Sequence, residues 1–296
     1  MPTSFKPTSK LGRFFAIFFS VILIAFLASA GIFYAQGGKT SIIQTPSMAT
    51  YSPVGTLVLT LPVKFSDIKQ GDTILFNPPA SKETFFHRVH EVNGNAIKTK
   101  GDLNGTVDPW TVHSDNVLGK ELLHIKFLGF LLRVLPLLFA GGIALVLITH
   151  YYAVSYFRFP SRVLGFSFLF AVAAYVTKPF FKAQLISQAV VNGKATTTLV
   201  PTGIFDIRGT AEHGSSVHAT PGQLVTVQST YHDKLGHYNV LLAPDLTTLN
   251  WIIIVSFIIT PTMLCIAYAL WAKHKDYDTV DIIEPDELIA EATPTS

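Results

Sequence analysis

Four long apolar stretches leave this chain few ways to fold. The first, Phe14 to Tyr34, runs 21 residues without a charged side chain. At about 1.5 Å per residue, a helix of that length spans a hydrocarbon layer of ~30 Å. The second, Val134 to Phe157, has no formal charge but contains His150, and Phe127 to Leu132 extends it upstream past Arg133. The long stem of an arginine lets its charge reach an interface, so a span over 127–157 is expected. The third, Val163 to Phe181, contains Lys178 near one end, and the fourth, Leu249 to Ala272, contains Pro261. Membrane helices tolerate such a proline. Only 14% of the residues are charged and 49% are hydrophobic, against roughly 25% charged in soluble domains. The net charge of +3, with no basic run, argues against nucleic acid as a partner. The single cysteine, Cys265, permits no intramolecular disulfide and reads as a small buried hydrophobe.

Four spans put both ends of the chain on one side. Lys6, Lys10 and Arg13 precede the first span, Arg158 and Arg162 lie in a predicted loop over 158–162, and Lys273 and Lys275 follow the fourth. The positive-inside rule makes that side cytoplasmic. Residues 1–13 and 273–296 are then cytoplasmic, while 35–126 and 182–248 face outward. Ala28-Ser29-Ala30 has the form of a signal-peptide cleavage site, but the apolar run 14–34 is longer than such a signal needs, so it reads as a retained anchor. The tail after Lys275 is acidic, lacks an apolar period and reads as disordered.

Segment 35–126 reads as β. Strands are predicted at Thr56 to Val63, Asp72 to Phe76, Thr84 to Val92 and Ala96 to Thr99, with Asn93-Gly94 as a hairpin turn. Segment 182–248 is also β-rich, with strands at Thr196 to Val200 and Gln223 to Gln228 among prolines and glycines. Its histidines, His213, His218, His232 and His237, match no common zinc spacing and read as surface or packing residues.

The first β-rich segment carries the chemistry. A serine hydroxyl attacks a carbonyl only when a base takes its proton and a third group orients that base. Ser47 lies thirteen residues after Tyr34, at most about 45 Å of extended chain. His87 follows Phe85-Phe86 on a predicted strand. His90 is a rival base, but strand alternation puts the two on opposite faces. Asp102 follows Gly101, and Asp108 precedes Pro109. Taken singly, each is as well explained by a loop serine, a packed histidine or a turn aspartate.

The ordered set Ser47-Met48, Gly71-Asp72-Thr-Ile-Leu-Phe76, His87-Arg88-Val89 and Lys100-Gly101-Asp102 with Asp108 resembles type I signal peptidases. It is similar to their archaeal and endoplasmic-reticulum branch of S26 serine peptidases, where a histidine replaces the bacterial lysine base. The resemblance covers roughly residues 10–126. The apolar stretches and β-rich segments make the chain a membrane protein of mixed class, with four transmembrane helices and a second small β-rich outer domain, and the resemblance implies that segment 35–126 is an outward-facing all-β catalytic domain. It implies Ser47 as nucleophile and His87 as general base. Asp108 would orient His87 and Asp102 would be a second required acid that supports the site structurally, although which aspartate touches the histidine stays open. The Ser47 backbone N–H would belong to the oxyanion hole, with Thr45 at a hydroxyl position that assists there in some members. Three positions depart from the family pattern. Thr50 replaces a usual proline, Pro46 replaces a frequent glycine and cannot donate a backbone hydrogen bond, and Leu103 stands where asparagine is usual.

The implied activity is removal of signal peptides from exported preproteins at the plasma membrane. The expected partners are those signal peptides, the bilayer and the export machinery, with no cofactor and no metal. Two alternatives remain: a dedicated processing peptidase for a few surface or pilus-like proteins, and a catalytically silent membrane scaffold.

Overall fold

In the computed structural model, which describes residues 10–79, 81–212, 214–230 and 239–280, each apolar stretch becomes one helix. These are α1 (Lys10–Ala35), α2 (Leu128–Tyr152), α3 (Ser155–Thr177) and α4 (Thr248–Val280). All four are long and apolar enough to cross a membrane. α2 packs on α3 and α3 on α4, with the Phe159 and Tyr268 rings tilted against each other at 4.7 Å between centres.

The helix boundaries correct the predicted ones. Residues 158–162 form no loop, because α2 stops at Tyr152 and α3 begins at Ser155. Ala153 and Val154 alone turn the corner, both with extended ψ. Arg158 Nε donates to the Ala153 carbonyl at 3.1 Å and Arg162 Nε to Thr149 Oγ1 at 3.0 Å. Arg158 thus satisfies a carbonyl left open at the end of α2, and Arg162 ties α3 to a side chain of the last turn of α2. α3 ends at Thr177 rather than 181, because Lys178 turns left-handed and its N–H closes on the Ala174 carbonyl at 2.9 Å. α4 continues past Ala272 to Val280, into the start of the acidic tail. The rest of that tail, with Lys6, His213, His232 and His237, lies outside the described residues.

Between α1 and α2 lies a six-stranded antiparallel sheet of order β1-β2-β6-β3-β4-β5. Its strands are β1 (Lys39–Ile42), β2 (Leu57–Leu61), β3 (Thr73–Phe76), β4 (Phe85–Asn93), β5 (Ala96–Lys100) and β6 (Val117–Ile125). The four predicted strands are β2 to β5. The predicted hairpin forms, but its turn is shifted by one residue: Asn93 still pairs with Ala96, and Gly94-Asn95 make the bend. β3 is buried along its whole length, because it lies inside the sheet with apolar layers on both faces. Ile74 and Phe76 pack with Val89, Ile97 and Val112 on one side. Leu75 packs with Met48, Val58 and Phe86 on the other.

Between α3 and α4 stands a second β unit of two three-stranded sheets, β11-β8-β7 and β10-β9-β12. The strands are β7 (Ala183–Val191), β8 (Lys194–Pro201), β9 (Ile207–Ala211), β10 (Ser216–Ala219), β11 (Val225–Ser229) and β12 (Val240–Pro244). Ala195, Leu199, Ile207, Ala219, Val225 and Val227, drawn from both sheets, form its shared core. β8 contains the predicted strand 196–200, whereas β11 begins at Val225, two residues after the predicted start at Gln223. His218 is half exposed and bonds through Nδ1 to Asp245 at 2.7 Å. That bond, with help from Arg208, holds the Asp245 carboxyl below its ordinary range.

Candidate active site

Ser47 sits in one helical turn, Pro46–Met48, between β1 and β2. Pro46 opens the turn, where its fixed φ suits a helix start and its missing N–H would have had no helical partner. The Ala49 N–H closes the turn on the Pro46 carbonyl at 2.8 Å. Met48 is fully buried among Ile43, Val58, Leu75 and Phe86, and its sulfur accepts the Asp102 N–H at 3.4 Å. One residue of the Ser-Met pair anchors the turn while its neighbour remains partly exposed.

His87 comes from β4. Strand alternation places Phe85, His87 and Val89 on one face and Phe86 and Arg88 on the other. His87 is 4% exposed, with the Phe85 ring edge-on at 5.7 Å between centres. Its Nδ1 lies 2.7 Å from Asp108 Oδ2 and its Nε2 lies 3.0 Å from Ser47 Oγ. A carboxylate only accepts, so Nδ1 carries the proton and donates it to Asp108. Nε2 is left with the lone pair and faces the serine hydroxyl. Asp108 is 6% exposed. It is itself positioned by β5: Thr99 Oγ1 donates to Oδ2 at 2.7 Å, and the Asp108 N–H reaches the Thr99 carbonyl at 2.9 Å.

A scan of family models finds no match to the chain, and a search of curated proteins finds none either. The chemistry of the site therefore rests on the geometry of its own residues.

The two aspartates left open by the sequence now differ. Asp108 meets His87, whereas Asp102 forms a two-pronged pair with Arg88, at 2.9 Å to Nε and 2.8 Å to Nη2. That pair raises the Arg88 pKa further above its ordinary value. Arg88 also donates to the Gly71 carbonyl at 3.0 Å and lies over the Tyr51 ring at 4.8 Å. Thr45 Oγ1 lies 3.3 Å from Ser47 Oγ, within reach of the nucleophile. His90 is exposed, on the part of β4 that follows the site.

The Gly101-Asp102 turn packs against the backbone of Ser47. The Leu103 N–H donates to the Ser47 carbonyl at 2.9 Å. A Cβ on Gly101 would lie 2.9 Å from that same carbonyl oxygen, closer than backbone can tolerate. Gly101→Ala is therefore expected to displace Ser47 from His87 and lower the rate at which an acylating probe labels the Ser47 hydroxyl on the order of 10²-fold. The β4–β5 hairpin should survive, as read by amide exchange, and an unchanged rate would remove this support from the site.

Thr99 and a second polar group of Tyr51, Thr73, Glu121 and His124 were not legible as site residues in the sequence. Tyr51 donates to Glu121 at 3.0 Å, Thr73 donates to the same carboxylate, and His124 Nδ1 lies 2.6 Å from it. Burial and the Glu121 bond push the Tyr51 hydroxyl above its ordinary pKa, keeping it a donor. The period-2 position of Thr99 on β5 was the only signal available for it. Tyr51 and Glu121 lie 70 residues apart, and no local pattern connects them.

Proposed function

We propose that the protein is a membrane-anchored serine endopeptidase that removes N-terminal signal peptides from exported preproteins. The observation carrying this reading is the chain of Ser47 Oγ, His87 Nε2, His87 Nδ1 and Asp108 Oδ2, with contacts of 3.0 and 2.7 Å. Further support comes from its place on a sheet directly joined to α1 and α2, both apolar enough to span a bilayer. The cationic groups at Lys10 and Arg13, at Arg158 and Arg162, and at Lys273 and Lys275 favour the cytoplasm for the opposite side. On that topology the sheet and the outer β unit face the outer surface of the plasma membrane.

The mechanism is acyl transfer. Ser47 Oγ attacks the scissile carbonyl while its proton passes to His87 Nε2. The imidazolium so formed is stabilised by Asp108 through Nδ1–H. The tetrahedral oxyanion takes a hydrogen bond from the Ser47 N–H, which has no partner inside its own helical turn. Each such donor is worth roughly 10²–10³-fold in rate. His87 then returns its proton to the leaving amine, the serine ester remains, and water activated by His87 releases the acyl group.

The step has a definite pH sign. Only the neutral imidazole has a lone pair at Nε2, so protonation blocks attack. Cleavage is expected to fall as pH is lowered, because the protonated ring cannot take the serine proton. A rate that stays flat from pH 8 to 5 would contradict His87 as base. The additional outer β unit, β7–β12, and the two further spans, α3 and α4, favour a second reading, a peptidase dedicated to a few surface or pilus-like proteins. Cleavage of one member of a preprotein panel, rather than most, distinguishes that reading from a general signal peptidase.

A further inference from the structure

The loop joining the nucleophile to β2 is held from three sides. Ala49, Ser52, Pro53, Gly55 and Thr56 are all buried, whereas connecting loops ordinarily run over the surface. Tyr51 ties the loop to Glu121 on β6. The first turn of α2 closes a second side: the Gly129 N–H donates to the Gly55 carbonyl at 2.8 Å, and a Cβ on Gly55 would lie 2.2 Å from the Phe130 ring. The third side is the outer β unit. Its β10–β11 turn brings Gly222 so near that a Cβ there would fall 2.2 Å from the Ala49 carbonyl oxygen and 3.1 Å from Pro53 Cβ. Gly222 has φ +80°, a conformation only glycine adopts at little cost. Its N–H donates to the Pro201 carbonyl at 2.9 Å, which fixes the turn to β8. The hydroxyls of Ser52, in the loop, and Thr202, beside Pro201, are buried without a hydrogen-bond partner among the described residues, a cost that packing must offset.

We infer that the outer β unit is a positioning device for the nucleophile, acting through the contact of Gly222 with Ala49. This rests on the serine-peptidase reading and gives the second β unit a part in it. Ala49 follows Ser47 by two residues, and its N–H closes the Pro46–Met48 turn. A shift of Ala49 therefore passes directly into the turn that sets Ser47 Oγ 3.0 Å from His87 Nε2. Gly222 touches none of the reacting atoms. The His87–Asp108 pair is held separately by β4 and β5, so the contact governs where the hydroxyl sits and leaves the base alone.

The test compares Gly222→Ala with Gly193→Ala in the full chain. Gly193 lies in the same β unit, also has positive φ (+72°), and has nothing within 4 Å of its Cβ position. The two variants thus share the backbone strain and differ only in the contact. Per mole of folded, monodisperse protein, Gly222→Ala is expected to lower kcat on a cleaved preprotein by on the order of 10²-fold. KM and the pH midpoint should stay at wild-type values, and Gly193→Ala should cleave like wild type. Pro53→Ala removes packing from the seam without adding bulk and should lower kcat in the same direction, which keeps the test open if Gly222→Ala does not fold. Amide exchange of residues 46–56 gives a readout independent of activity, and it should quicken in Gly222→Ala but not in Gly193→Ala. Unchanged kcat in both seam variants, or equal losses in Gly222→Ala and Gly193→Ala, would overturn the inference. Faster exchange in a protein whose wild type cleaves no preprotein would overturn the peptidase reading while leaving the clamp in place.

Discussion

His87→Ala is expected to lower the single-turnover cleavage rate by ~10⁶-fold, the scale on which loss of the base disables a serine hydrolase whose residues act as a unit. The expectation comes from the surroundings of the Ser47 hydroxyl. Among the described residues its hydrogen-bonding neighbours are His87 Nε2 and Thr45 Oγ1, and a threonine cannot serve as a base at neutral pH. Adding Ser47→Ala to His87→Ala should cost nothing more, because each change alone already prevents attack. A double variant slower than either single one by the product of their effects would mean that the two side chains act independently. That outcome is incompatible with a proton passing between them.

Asp108→Asn carries the second large effect, a fall of about 10⁴-fold in kcat. The substituted amide presents an N–H to His87 Nδ1, and the ring answers by moving its proton to Nε2. Nε2 then donates and can no longer accept from Ser47, although every atom keeps nearly its original position. The contrast is Asp102→Asn. The Arg88–Asp102 pair is partly exposed, at 33% and 19%, and such pairs contribute ~0–1 kcal/mol to stability. The Asp102 contact with the Met48 sulfur is made by its backbone N–H and survives the change. Near-wild-type kcat for Asp102→Asn beside a crippled Asp108→Asn would separate support from orientation. Comparable losses in both would contradict the assignment of Asp108, rather than Asp102, as the carboxylate that orients His87.

The legible parts of the fold were those with a strong local signal. Residues 14–34 and 249–272 announce their helices by length and lack of charge. Ser155 to Phe157 and Phe159 to Arg162 did not read as the start of α3, because two arginines in an apolar region resemble a loop. Their guanidinium groups instead bond back to α2, a tertiary outcome that no window of sequence contains. β6 was missed although it lies in the middle of the sheet. Its sequence, Val-Leu-Gly-Lys-Glu-Leu-Leu-His-Ile, breaks period-2 alternation because its pairings with β2 and β3 each contain a register shift. In the site, Ser47, His87 and Asp108 were legible as an ordered set, and geometry distinguished Asp108 from Asp102. Pro46 looked out of place beside a nucleophile. At the start of a helical turn the absence of its N–H costs no hydrogen bond within that turn. The contact of Gly222 with Ala49 joins residues far apart in the chain and has no sequence signature.

The most direct measurement is mass spectrometry of a preprotein panel incubated with the full-length wild-type protein and with Ser47→Ala in bilayers. Wild type should release intact signal peptides and mature chains with new N-termini after small residues, and Ser47→Ala should release none. Equal cleavage by both, or no cleavage of any preprotein by folded wild type, would contradict the assignment of this site as a signal-peptide-cleaving serine peptidase.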